Sequence, residues 1–148
     1  MRTIGLHAQI WASAETLVEA LPKIERLGVT VVLDHMACPN VERGSADPIF
    51  QRLLSLISAA DIWVKLSVCR VSKGVRGYAD ARPFHDAFLG AARQRCVWGS
   101  DWPYVRMSPE PDAGHLCDLV IEWCGDADTQ RRVLVDNPAQ LYGFTEDA

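Results

Sequence analysis

Apolar positions along the chain change period repeatedly, and the changes divide it into four rounds. Over residues 3–11, Ile4, Leu6, Ala8 and Ile10 alternate with Gly5, His7, Gln9 and Trp11, the period of two that sends successive side chains to opposite faces of a strand. Ser13 then offers a helix cap. Leu17, Val18, Leu21, Ile24 and Leu27 follow at helical spacing up to Gly28, with Pro22 predicting a kink on the way. Residues 29–33 are an unbroken β-branched and apolar run, the pattern of a parallel strand buried on both faces. Asp47 and Pro48 are an N-cap and first-turn pair for a helix carrying Ile49, Phe50, Leu53, Leu54 and Ile57.

The same alternation continues downstream. It predicts a strand over 61–67, a helix over 80–94, a strand over 95–101, helices over 114–124 and 126–135, and a closing turn in NPAQLYGF. Strand followed by helix four times, with no hairpin turn, specifies the α/β class and parallel strands. In each round the carboxyl end of the strand is the polar end: Gln9 and Trp11, Asp34 and His35, Lys65 and Ser67 with Arg70 nearby, Ser100 and Asp101. Parallel α/β enzymes bind ligands at that end.

Composition narrows the picture by exclusion. The 148 residues make one domain, 49% hydrophobic and 23% charged, as in ordinary globular chains. A net charge of −4 with Lys and Arg scattered gives no footprint for nucleic acid. No apolar run is long enough to span a bilayer, and the amino terminus lacks the pattern of a signal peptide. Five cysteines without a CxxC pair suit reduced thiols, so the location expected is cytoplasmic.

The phrases VVLDHMACPN, IWVKLS, CVWGSDWP and NPAQLYGF, in that order, resemble the amidohydrolase-related family of (β/α)8 barrels that includes 2-pyrone-4,6-dicarboxylate lactonase. The resemblance covers essentially all of residues 1–148. It implies a partial TIM-type barrel whose four βα units correspond to strands five to eight, hence the carboxyl-terminal half of a fold that needs about 250 residues. Family members usually begin with His-x-His on strand one, and no HxH occurs here.

Asp101, expected to end the last strand, is the candidate general base, able to take a proton from water attacking a carbonyl; otherwise it is a cap or a loop ion pair. His35, after the second strand, could polarise a carbonyl, position water or bind a metal, or else be a packed or solvated histidine. Asp34, its neighbour, is expected to point elsewhere by alternation and tie down a loop. The resemblance places at Arg70 an arginine that grips a substrate carboxylate, which its planar fork suits; an exposed loop arginine is the other reading. Lys65 either faces the barrel interior, as a candidate for substrate binding, or pairs with Asp101 or Asp34.

The resemblance gives Trp11 a substrate contact, with simple packing as its alternative. Tyr104 is a further candidate for substrate binding and stands where relatives often carry His after WP. Cys38 stands where the lactonase-like MGRP has arginine, a change that weakens binding of a dianion. His7, His85 and His115 are read as structural.

The expected function is hydrolysis of a lactone or related ester or amide of a small, carboxylate-bearing molecule. The alternatives are a metal-dependent decarboxylase of the same superfamily and a non-catalytic half-barrel that self-associates. His35 and Asp101 alone make an incomplete divalent site, so no bound metal or other cofactor is expected in this chain, although a full-length relative could hold zinc. The expected partners are a small-molecule substrate and either a second copy or an amino-terminal half-barrel, because four units leave two sheet edges and an inner wall open.

Overall fold

The computed structural model describes residues 6–74 and 76–144. Four strands form one wholly parallel sheet in sequence order: β1 Ala8–Ile10, β2 Val31–Leu33, β3 Ile62–Leu66 and β4 Cys96–Trp98. Ala8 lies opposite Val31, Val31 opposite Ile62, and Val64 opposite Cys96. The helices are α1 Ala14–Glu25, α2 Pro48–Ala59, α3 Arg82–Ala92, α4 Ala113–Cys124, α5 Ala127–Arg131 and α6 Asn137–Tyr142. Each long connection between paired strands contains a helix, as parallel pairing requires.

Local chemistry accounts for the helix starts. The Ser13 hydroxyl accepts from the Thr16 amide at 3.4 Å, Asp47 from Phe50 at 3.2 Å, Asp112 from Gly114 at 2.8 Å and Asp126 from Thr129 at 2.9 Å. Each carboxylate or hydroxyl satisfies an amide that the helix leaves unpaired.

The outer face of the sheet carries most of the core. Leu33, Val64 and Leu66 lie under Leu17 and Leu21 of α1, Phe50, Leu53 and Ile57 of α2, and Phe84 and Phe88 of α3, all of them buried. The Phe50 ring meets Phe84 and Phe88 edge-on at 4.8 and 5.2 Å. Alternation turns Val32, Trp63 and Val97 to the inner face, where Leu141 of α6 packs against them. This part of the inner wall, expected to be open, is buried. The segment expected to be a turn, NPAQLYGF, is largely helix α6, and it supplies the cover. Two backbone carbonyls explain its seat: the Asn137 amide donates to Arg93 at 2.8 Å and to Cys96 at 2.7 Å.

Other elements differ from expectation at their ends. Residues 3–5 of the first expected strand lie outside the described residues, and its ladder is confined to Ala8–Ile10. Helix α1 continues past Pro22 and ends at Glu25, before a left-handed Gly28. Asp80, the expected start of α3, instead accepts from the Ser72 hydroxyl at 2.6 Å and the Lys73 amide at 2.8 Å, pinning the preceding loop. The helix expected over 126–135 widens after Arg131 into a π-turn, Arg132–Asp136, that leads into α6. Among the described residues no helix is long and apolar enough to cross a membrane.

Candidate active site

Strand β2 ends at Leu33, and the chain turns at once through four consecutive left-handed residues, His35, Met36, Ala37 and Cys38, with φ between 42° and 57°. Such conformations cost non-glycine residues about 1 kcal/mol or more each and persist where surroundings impose them. The turn brings His35 inward, and its side chain is buried. Asp101 does not end β4. It lies three residues beyond Trp98, also left-handed at φ 71°, so the loop rather than the strand aims its carboxylate.

These two residues come together. His35 Nε2 stands 3.8 Å from Asp101 Oδ1, beyond direct hydrogen-bond distance. The Arg70 Nε–H donates to the other oxygen, Oδ2, and its Nη2 donates to the Val105 carbonyl at 3.0 Å. Two of the guanidinium's donors therefore hold protein groups, and Nη1 meets no partner among the described residues. Trp11 roofs the cluster: its ring lies edge-on to His35 at 5.2 Å and under the Arg70 guanidinium at 5.5 Å. The Trp11 indole N–H donates to Cys38 Sγ at 3.1 Å. Trp11 is 64% exposed even so, a large aromatic surface at the mouth of the sheet. Tyr104 is buried, with φ 58° and no hydrogen-bond partner for its hydroxyl among the described residues.

Lys65 and Asp34 form a second pair, Nζ to Oδ1 at 2.7 Å. Gln9 Nε2 also donates to both oxygens of Asp34, at 2.9 and 3.0 Å. Asp34 thus faces the inner wall and links β1 to β3, where a loop tie was expected. The signal was available in the sequence, since Asp34 alternates with Val32, whose side chain faces that wall. The sequence marks Gln9 as a polar strand end, and its pairing with Asp34 follows from the register of β1 on β2. His7 meets the Tyr142 ring at 5.6 Å. His85 is buried against Trp123, and His115 lies near Tyr78; none of the three joins the cluster.

Electrostatics set the protonation states. Burial pushes the His35 imidazole below its usual range; Asp101 and then Asp34 oppose this, and Arg70 and Lys65 assist it. The ring is neutral near pH 7. Burial raises the Cys38 thiol, against the Trp11 N–H, so the sulfur presents no charge where a cation would hold a dianion. His85 is also lowered, by burial first, with its Asp86 contact opposing. A lowered histidine binds protons more readily unfolded than folded. Both therefore leave stability intact above the unfolded value of 6.5 and reduce it as pH falls from there toward their folded values. Urea denaturation is expected to give a lower midpoint at pH 5.5 than at pH 7.5, and replacing His85 by Gln should flatten that difference.

A cavity of about 310 Å³ opens beside the cluster, lined by Ser13, Cys38, Asn40, Glu42, Arg70 and Lys73 among others. A second, of about 280 Å³, lies at the amino ends of β2 and β3 around Gly28, Thr30 and Asp61, away from every candidate residue. A zinc site needs at least three protein ligands. His35 and Asp101 supply two, one of them already paired with a guanidinium, and no group of three or more His, Cys, Asp or Glu placed to hold a metal ion occurs among the described residues. Among the described residues, these two donors do not complete a metal site by themselves.

The chain is similar to known proteins. The family model described as Amidohydrolase matches residues 1–144. The chain is 32% identical over 151 aligned residues to 2-pyrone-4,6-dicarbaxylate hydrolase of Comamonas testosteroni, covering 94% of this chain and 49% of that one. It is 30% identical to D-galactarolactone isomerase of Agrobacterium fabrum, covering 92% and 50%, and 30% identical to 4-sulfomuconolactone hydrolase of Hydrogenophaga intermedia, covering 82% and 41%. Among solved structures, a probable 2-pyrone-4,6-dicarboxylic acid hydrolase from Acinetobacter baumannii with citric acid bound superimposes with a TM-score of 0.86 at 25% identity, covering 96% of this chain and 54% of that one. The chain spans about half the length of these relatives, and its four parallel strands are part of a TIM-type barrel.

Proposed function

The chain belongs to the amidohydrolase family, and from that premise we propose that it carries the general-base half of a lactone-opening hydrolase. One observation supports this most directly: the Asp101 carboxylate is held on Oδ2 by Arg70 while Oδ1 stands 3.8 Å from a buried His35. In the proposed reaction Oδ1 takes a proton from water as the water oxygen bonds to the ring carbonyl carbon. The neutral His35 donates from Nε2 to the oxygen on which negative charge develops. Collapse of the tetrahedral adduct breaks the ring C–O bond, and the proton held by Asp101 passes to the departing alkoxide. Trp11 offers a flat apolar wall to the ring. Arg70 Nη1 remains for a substrate carboxylate, so the substrate class is a lactone, or related ester or amide, of a small carboxylate-bearing molecule.

The chemistry proposed needs no metal, given the two-donor set described above. The remaining wall of the site would come from an amino-terminal half-barrel or a second copy of this chain. Five free thiols support a reducing, cytoplasmic setting.

Ring opening across a panel of lactones, followed by acid release in weak buffer, tests this reading. The assay takes this chain alone and mixed with the amino-terminal half of the Comamonas relative. Hydrolysis is expected to survive chelator. Carbon dioxide release without ring opening, or activity abolished by chelator and restored by zinc, would overturn it.

A further inference from the structure

The strand ends hold a charged pair that the proposed chemistry does not use, and it lies next to the residue that chemistry depends on. Lys65 leaves β3 on the inner face and its ammonium reaches Asp34 at 2.7 Å. The path of its stem is specific: a Cβ on Gly99 would stand 2.8 Å from Lys65 Cδ and 3.2 Å from Cγ. A side chain at position 99 and this course of Lys65 exclude each other. Asp34 is closed from its other side by the Gln9 amide, and its own amide continues the ladder to the Ile10 carbonyl at 2.9 Å. The next residue is His35, the first of the four left-handed residues. That turn is strained, and its entry is fixed by a residue that both flanking strands grip.

We propose that Lys65 is a positioning residue: lying across Gly99, it locks Asp34, and through Asp34 it sets the left-handed turn that holds His35 under Trp11. This rests on the reading of His35 as an active-site group only for its functional consequence, because the geometry is a property of the folded chain. The groups around His35 are Trp11 after β1, Asp34 after β2, Lys65 in β3 with Arg70 beyond it, and Asp101 after β4. The acids favour its protonated form and the bases oppose it. Removing Lys65 strips Asp34 of its countercharge as well as its tether.

The test is histidine-selective NMR on the whole chain, which has four histidines, with His35 assigned by its loss in His35→Gln. In Lys65→Met the His35 signals are expected to leave the positions set by the Trp11 ring, and the titration midpoint is expected to move upward. Gly99→Ala, which keeps every charge but displaces the lysine, is expected to move the signals. It also serves if Lys65→Met does not fold. The double variant Asp34→Asn with Lys65→Met removes both charges and is expected to bring the midpoint back toward the parent value. Parent-like His35 signals and midpoint in Lys65→Met or Gly99→Ala, with only thermal stability reduced, would leave Lys65 a structural pin and overturn the proposal. A midpoint that the double variant fails to restore would overturn it too. Neither readout depends on lactone turnover, so an inactive chain bears on the proposed function alone.

Discussion

Asp101→Asn is expected to slow lactone opening by about 10²- to 10⁴-fold, the range ordinarily lost with a general base, while the circular dichroism of the folded chain stays unchanged. The substitution preserves shape. An amide oxygen at Oδ2 still accepts from Arg70, so the loop beyond β4 retains its tie, but the group facing His35 can no longer take a proton from water. Replacing Asp101 by Ala would be less informative, because a half-buried guanidinium would lose its only carboxylate partner in this structure. The measurement is the turnover rate at saturating substrate and fixed pH, compared with parent protein prepared in parallel. A loss smaller than about tenfold would place the proton acceptor elsewhere.

Phe50→Ala is expected to destabilise the fold by about 3–5 kcal/mol, the cost typical of emptying a buried aromatic position. Phe50 is 1% exposed and meets both Phe84 and Phe88, so one truncation unpacks the joint between α2 and α3. A domain of this kind has about 5–15 kcal/mol in hand. The variant should therefore melt far below the parent or be isolated partly unfolded, as read by urea titration. A shift worth less than about 1 kcal/mol would mean that neighbouring side chains collapse into the space.

The strands could be read from the sequence because a parallel strand buried on both faces favours β-branched and apolar runs, which residues 29–33 supply in full and Ile62, Trp63 and Val64 in shorter form. Asp47–Pro48 announced α2 for an equally local reason, a cap followed by the one imino acid suited to a first turn. Strand ends were harder. The ladder stops where the backbone leaves the extended region, and nothing in the composition of Asp34–His35–Met36 favours four left-handed residues; packing imposes them. Asp101 was therefore expected on a strand and is found on a loop.

The candidate residues were more legible than the pairings between them. His35 and Asp101 stood out from their positions after apolar strands and from the family phrases. The link from Arg70 to Asp101 spans 31 residues and depends on how two loops fold over the sheet. The sequence offers Lys65 two carboxylates, and its observed course to Asp34 passes Gly99, whose missing side chain leaves no periodic trace. Helix α6 escaped because its six residues carry too little apolar pattern to announce a helix, and its place is secured by two carbonyls of the β4 approach rather than by an amphipathic stripe.

The Asn137 bonds also bear on synthesis. A ribosome releases the chain from its amino end, so Arg93 and Cys96 reach the tunnel exit about forty residues before the amide that joins them. Until then the start of β4 lacks this clasp, and the loop bearing Asp101 hangs from a strand held on one side only. The clasp on β4 is thus a late event in the life of the nascent chain, and a stalled or prematurely released product ending before Asn137 would carry every candidate residue of the site without the contact that secures the last of its strands.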